Sequence, residues 1–125
     1  MSPVWGRRLI ESMRMICWDR VNGLRDDVGQ EDFDEVVEIF LEEMDEVMDR
    51  LRAFPNPLTY EAELHFLKGS ALNLGFAALS NICMQSEKLA DESTWASIDL
   101  SGVIVIYEKS KIEFNSGQQK VEHAA

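Results

Sequence analysis

The stretch FDEVVEIFLEEMDEVMDRL, residues 33–51, decides the fold class. Phe33, Val36, Val37, Phe40, Met44, Val47, Met48 and Leu51 recur at the i, i+3, i+4, i+7 spacing that lines one face of an α-helix, and acids fill the opposite face. Acidic residues in the first turn suit the positive end of the helix dipole, and Arg50 and Arg52 suit the negative end. Pro55-Asn56-Pro57 stops the helix, because proline cannot donate to the ladder and bars the preceding residue from helical geometry.

Upstream, Asp19 is the expected cap of a short helix through Leu24 that ends near Gly29, and Pro3 to about Cys17 reads as a further helix packing through Val4, Leu9, Met13 and Ile16. Downstream, Thr59 caps a helix to Leu74, whose inward stripe is Tyr60, Leu64, Leu67, Ala71 and Leu74, and Gly75 is placed to end it in a left-handed conformation. Only a tight turn separates it from a helix over Ala77–Ala90 that buries Leu79, Ile82, Cys83, Ser86 and Leu89, so the two form an antiparallel hairpin. Val103-Ile104-Val105-Ile106-Tyr107 has β-branched character, but Leu100, Val103, Ile104, Tyr107 and Phe114 keep helical spacing, and a lone strand would have no partner. A last helix over Ala96–Phe114 follows, with a frayed polar tail from Ser116. The expected architecture is all-α: an antiparallel up-down four-helix bundle with short additional N-terminal helix or helices. Residues 1–17 are an extension, 18–115 the bundle and 116–125 the tail.

With 125 residues the chain is read as one domain able to bury a core. The net charge of −11 lacks the basic stripe that neutralises phosphates, which argues against nucleic acid and anionic membrane surfaces. The charge is uneven: residues 1–25 hold five arginines and two acids, whereas residues 26–49 hold twelve acids and no Lys or Arg. That run reads chiefly as a solvated helix face, with a partner-steering surface as the alternative. Cys17 and Cys83 fit no metal spacing and read as two buried or half-buried thiols in a reducing compartment. Glu11, Ser12 and Arg14 interrupt the apolar run Leu9–Cys17, unlike a signal peptide, and no run approaches the roughly 18 apolar residues of a membrane span. A cytoplasmic location is expected.

The residues HFLKGSA, 65–71, carry the chemistry. His65, Lys68 and Gly69 stand at i, i+3 and i+4, so an imidazole lies beside an ammonium group and a position with no side chain. With about 100° of rotation per residue, His65 points roughly 150° from the inward stripe. Gly69 points outward, Leu72 and Phe76 fall on the outer face with His65, and Lys68 sits on the flank. Glycine within a helix costs about 1 kcal/mol relative to alanine, and clearance for an approaching molecule is a reason to keep it. Lys68 is placed to stabilise a dianion on the imidazole. An outward apolar patch around a reactive group reads as a docking surface.

Continued to residue 75, the run HFLKGSALNLG resembles the signature of the histidine-phosphotransfer (HPt) family, His-x-x-Lys-Gly-Ser-[Ala/Ser]-x-x-[Leu/Val]-Gly. The likeness extends from about Trp18 to Leu89. It implies that His65 is the phosphoacceptor, that Lys68 stabilises the phosphoryl group, and that Gly69, Leu72 and Phe76 belong to the surface on which a receiver domain docks. Many family members orient the imidazole with a Gln or Glu on the next helix, and Glu87 occupies that position. The resemblance further implies a phosphorelay intermediate rather than an enzyme in the strict sense, with no cofactor of its own and Mg²⁺ on the partner receiver. The expected partners are response-regulator receiver domains and a histidine kinase, and the expected state is a monomer, with a dimer open through residues 1–17. No ATP-binding kinase region or receiver motif accompanies it, which suggests a stand-alone shuttle. A docking or inhibitory module that uses the same surface without phosphorylation is the alternative. Metal-dependent hydrolysis in the bundle core is disfavoured, since it needs paired Glu-x-x-His motifs and the chain has only His65 and His123.

Overall fold

The structure, a computed structural model, describes residues 14–91 and 95–124. Among them five α-helices follow one another: α1 (Trp18–Val28), α2 (Gln30–Ala53), α3 (Tyr60–Leu74), α4 (Ala77–Asp91) and α5 (Leu100–Ala124), with 3₁₀ turns at Pro57–Thr59 and Trp95–Ser97. The four longer helices form the bundle and α1 is the short addition, so the all-α expectation is correct. Most of the N-terminal helix expected over Pro3–Cys17 lies outside the described residues; Arg14–Cys17 are not helical.

Every residue of the predicted α3 stripe, Tyr60, Leu64, Leu67, Ala71 and Leu74, is buried. They meet Phe33, Met44, Val47, Met48 and Leu51 of α2, Leu79 and Cys83 of α4, and Val103, Tyr107 and Phe114 of α5 in one apolar cluster. The β-branched run of α5 is helical, as its spacing requires. That helix starts later than expected, at Leu100, because Asp99 caps it: its carboxylate accepts from Gly102 N–H at 2.9 Å. It also ends later. Residues beyond 115 continue as helix, and Gly117 lies so close under the Trp18 ring that any Cβ there would overlap it. Trp18 also stacks on Phe114, with centroids 5.8 Å apart, and Arg25 donates to Gln118 at 2.7 Å. The polar composition that suggested fraying from Ser116 therefore hid a contact that needs only a missing side chain. At the other end of this contact, α1 is capped by Cys17 rather than Asp19, and Asp19 sits in the first turn. Cys17 is exposed and Cys83 buried, both free, so the expectation of two sheltered thiols holds for Cys83 alone.

The turn between α3 and α4 sets their register. Gly75 takes a left-handed conformation, φ 92° and ψ 17°, and its N–H donates to Ala71 O at 2.9 Å. Phe76 N–H donates to the same carbonyl at 2.8 Å, a Schellman-type closure. Gly75 O then accepts from Cys17 N–H at 2.7 Å, which fastens the start of α1 to the turn. A Cβ at Gly75 would lie 2.9 Å from both Cys17 O and Val21 Cγ2.

A polar cluster closes the bundle between α2 and α5. Tyr107 is buried, and its hydroxyl donates to Asp45 Oδ1 at 2.5 Å. Lys111 Nζ reaches the same carboxylate oxygen at 3.1 Å and Glu108 at 3.2 Å, and Arg52 pairs with Glu108 at 2.6 Å. Burial, with the Asp45 hydrogen bond behind it, pushes the Tyr107 hydroxyl well above the usual phenol range, so it remains a neutral donor.

Gly75→Ala is expected to destabilise the protein by about 2–3 kcal/mol in urea unfolding, since left-handed strain and a backbone clash add; an unchanged midpoint would remove this turn from its place in the fold. Tyr107→Phe is expected to lose about 1–2 kcal/mol, less than a wholly buried charged hydrogen bond because Asp45 retains Lys111. The same urea titration checks it, and a loss no greater than that of a surface substitution would show the bond to be dispensable.

Candidate functional site

The antiparallel hairpin carries the site. Ten residues back from Gly75 along α3 stands His65, and twelve residues forward along α4 stands Glu87. With a rise of about 1.5 Å per residue the two lie at similar depth below the turn. Nothing in the local sequence brings them together; the turn does.

His65 Nδ1 lies 2.8 Å from Glu87 Oε2, and Lys68 Nζ lies 2.8 Å from Glu87 Oε1. One carboxylate thus uses both oxygens on two neighbours from the facing helix. The imidazole is 68 % exposed while Glu87 is 19 % exposed, so the ring stands out from a sheltered anchor. An ionised carboxylate only accepts, which makes Nδ1 the donor and leaves the Nε2 lone pair free. The hydrogen bond from Lys68 holds the Glu87 carboxyl below the usual carboxylate range; burial opposes this, and the bond from His65 supports it. The sign follows: the bridge is intact above that lowered value and is lost as pH falls through it.

Gly69, one turn after His65, has nothing within 4 Å of where a Cβ would be. Leu72 is 56 % exposed on the same side. Phe76 is not. The expectation that it shares the outer face is wrong, because it extends the helical rotation past the point where α3 ends. The left-handed Gly75 swings Phe76 inward, where it is fully buried against Phe114 at 5.6 Å and Tyr107 at 6.5 Å between centroids.

Other residues complete the surface. Leu58, Glu61 and Ala62 line a recess with His65 and Glu87, and Glu61, Met84, Lys88 and Asp91 line a second one with Lys68 and Glu87. Leu58, 92 % exposed, shares the first recess with the His65 ring. Helical spacing points to most of these: Glu61 and Ala62 are one turn before His65, and Met84 is one turn before Glu87. Leu58 escapes that rule because it precedes α3, in the 3₁₀ turn that Asn56 caps through Leu58 N–H at 3.0 Å. Cys83, also one turn before Glu87, faces the core instead. Burial and then the Glu87 charge push its thiol up to about 12, so it stays protonated and inert.

Among the described residues no group of three or more His, Cys, Asp or Glu could hold a metal ion, and no helix is long and apolar enough to cross a membrane.

No curated protein and no solved structure matches the chain. The family model of the Hpt domain does match it, over residues 35–105. That span runs from within α2 into α5, includes the whole α3–α4 hairpin with His65, Lys68, Gly69 and Glu87, and covers more than half of the 125 residues. By that match the chain belongs to the Hpt domain family, the phosphocarrier modules that transfer phosphoryl groups through histidine in phosphorelays.

Proposed function

We propose that His65 accepts a phosphoryl group on Nε2, from the aspartyl phosphate of one receiver domain or from a histidine kinase, and passes it to an aspartate on a response-regulator receiver. The observation that carries this reading is the pairing of an exposed imidazole with a sheltered carboxylate that occupies its other nitrogen. Such a ring has its nucleophilic lone pair aimed at solvent and its tautomer fixed in advance.

Each neighbour has a part in the same step. Lys68 is within reach of a phosphoryl group on His65, and swinging its ammonium from Glu87 to the new dianion exchanges one charge-assisted hydrogen bond for another. Leu72 and Leu58, both exposed, offer apolar contact to a docked domain. The open space at Gly69 admits the edge of a docked domain. The receiver supplies Mg²⁺ and most of the electrostatic stabilisation of the transferring group; the bundle supplies a positioned nucleophile.

Incubation with a phosphorylated receiver is expected to give acid-labile, base-stable label on the chain, and His65→Gln is expected to abolish it. Equal labelling of the variant would end this reading and favour a docking role without phosphorylation. Gly69 separates the fold from the function. Since nothing crowds a Cβ there, Gly69→Ala is expected to raise stability by about 0.5–1 kcal/mol in urea unfolding. Gly69→Gln is expected to fold equally well and yet slow transfer to the receiver at least about tenfold, a loss of about 1.4 kcal/mol in the transition state. Full transfer by Gly69→Gln would show that no partner uses the space.

A further inference from the structure

Glu87 holds a tautomer in the free protein, but a neutral Gln would do the same, since its carbonyl also accepts from Nδ1–H. The two residues differ once the ring is phosphorylated. When Nε2 attacks phosphorus, its lone pair becomes the N–P bond, and the electron pair of the broken P–O bond leaves with the donor aspartate as its carboxylate. No proton moves. Nδ1 keeps its hydrogen, so the phosphorylated imidazole carries a positive charge. In the onward step an oxygen of the acceptor aspartate forms the new O–P bond, the N–P electron pair returns to Nε2, and the ring departs as neutral imidazole. A ring stripped of the Nδ1 proton would have to depart as imidazolate, a much poorer leaving group.

We propose that Glu87 keeps the proton on Nδ1 of phosphorylated His65, and so keeps the phosphoryl group in its transferable form. This rests on the reading of His65 as the phosphoacceptor and goes beyond ring orientation to the chemistry of release. The contact is direct, 2.8 Å from Nδ1 to Oε2, and Glu87 is 19 % exposed, where water screens a carboxylate–imidazolium pair less than at the open surface.

The other charges facing the ring are accounted for. Lys68 opposes a cationic ring, but its ammonium is bound to the second oxygen of Glu87. From α3, Glu61 favours the cation, and from α4, Lys88 and Asp91, which line the neighbouring recess, carry opposite charges that offset each other. Among the described residues Glu87 is the one that hydrogen-bonds the ring. Phosphorylation strengthens its grip: a dianion on Nε2 draws Lys68 away from Oε1, and the carboxylate charge then falls more fully on the ring.

The full chain, Glu87→Gln and Lys68→Gln are labelled with phosphoramidate, and the phosphorylated ring is titrated by phosphorus and nitrogen NMR. Transfer to a receiver domain with Mg²⁺ is timed across the same pH range for the first two. Glu87→Gln is expected to take label but to lose the Nδ1 proton at least about one pH unit earlier. Its transfer then falls further behind the parent chain as the pH rises, by about tenfold on the alkaline limb. Lys68→Gln, which removes the opposing charge, is expected to move the ring titration the other way. Superimposable titrations of the parent and Glu87→Gln, or both variants moving in the same direction, would overturn the proposal. A parent chain that takes no label on His65 overturns the phosphoacceptor reading itself, a distinct result.

Discussion

A helix hairpin needs a residue that reverses the chain without losing its hydrogen bonds, and in this protein Gly75 is that residue. Its left-handed backbone lets two successive N–H groups, those of Gly75 and Phe76, close onto Ala71 O. The same turn frees Gly75 O to accept from Cys17, so the start of α1 is tied to the hairpin rather than to the helix that follows it. It also swings Phe76 into contact with Tyr107 and Phe114, which joins the hairpin to α5. Three connections therefore pass through one residue with no side chain, and the near contacts of its missing Cβ show why the position tolerates nothing larger. The register that results brings Glu87 level with His65. The site depends on the turn in a direct geometric sense: a slip of one residue in α4 would rotate the carboxylate by about 100° away from the ring.

Within the site, one carboxylate holds an ammonium group and an imidazole. Its ionised state depends mainly on Lys68, and the ring adds to it. The free protein is thus arranged around a charge already balanced, with Lys68 available to a stronger anion and Glu87 left facing the ring when that anion arrives. Under the proposed phosphoacceptor role, this triad would respond to phosphorylation by exchanging partners, with no backbone movement needed. Around it the fold is closely packed: the inward stripe of α3 is buried, and the Tyr107–Asp45 bond and its flanking ion pairs join α2 to α5.

Much of this was legible in the sequence wherever a period or a motif carried it. The stripes of α2 and α3, the left-handed glycine, the hairpin, and the set His65, Lys68, Gly69, Leu72 and Glu87 all follow from spacing or from the family signature. What failed has a common cause. Helical projection is local, and it broke down where tertiary contacts or backbone reversal took over. Phe76 was projected along a helix that had already ended. Residues beyond 115 looked like a solvated tail because their composition is polar, whereas Gly117 is in the bundle by virtue of the Trp18 ring above it. Asp19 resembled a cap, but the chain enters α1 two residues earlier, at Cys17, whose N–H reaches Gly75. Leu58 belongs to no helical face at all, being set by the 3₁₀ turn.

The two faces of α3 answer to different constraints, and the difference explains why its outer face breaks the usual rule of polarity. Tyr60, Leu64, Leu67, Ala71 and Leu74 are fixed by the core; any of them exchanged for a polar residue would leave a group without solvent or partner. On the outer side Glu87 holds His65 and Lys68, while Gly69 has open space above it and Leu72 is exposed. A fold under no other demand would place a helix former at 69 and charged residues at 58 and 72, and each change would favour solubility or helix stability. Instead the chain has a glycine with empty space above it and two exposed leucines, grouped around one imidazole. Three departures in the same direction, all within reach of His65, are not accounted for by the bundle. The proposed docking of a receiver domain would account for them: a partner surface apolar at its edges, laid over the ring, uses the open space at Gly69.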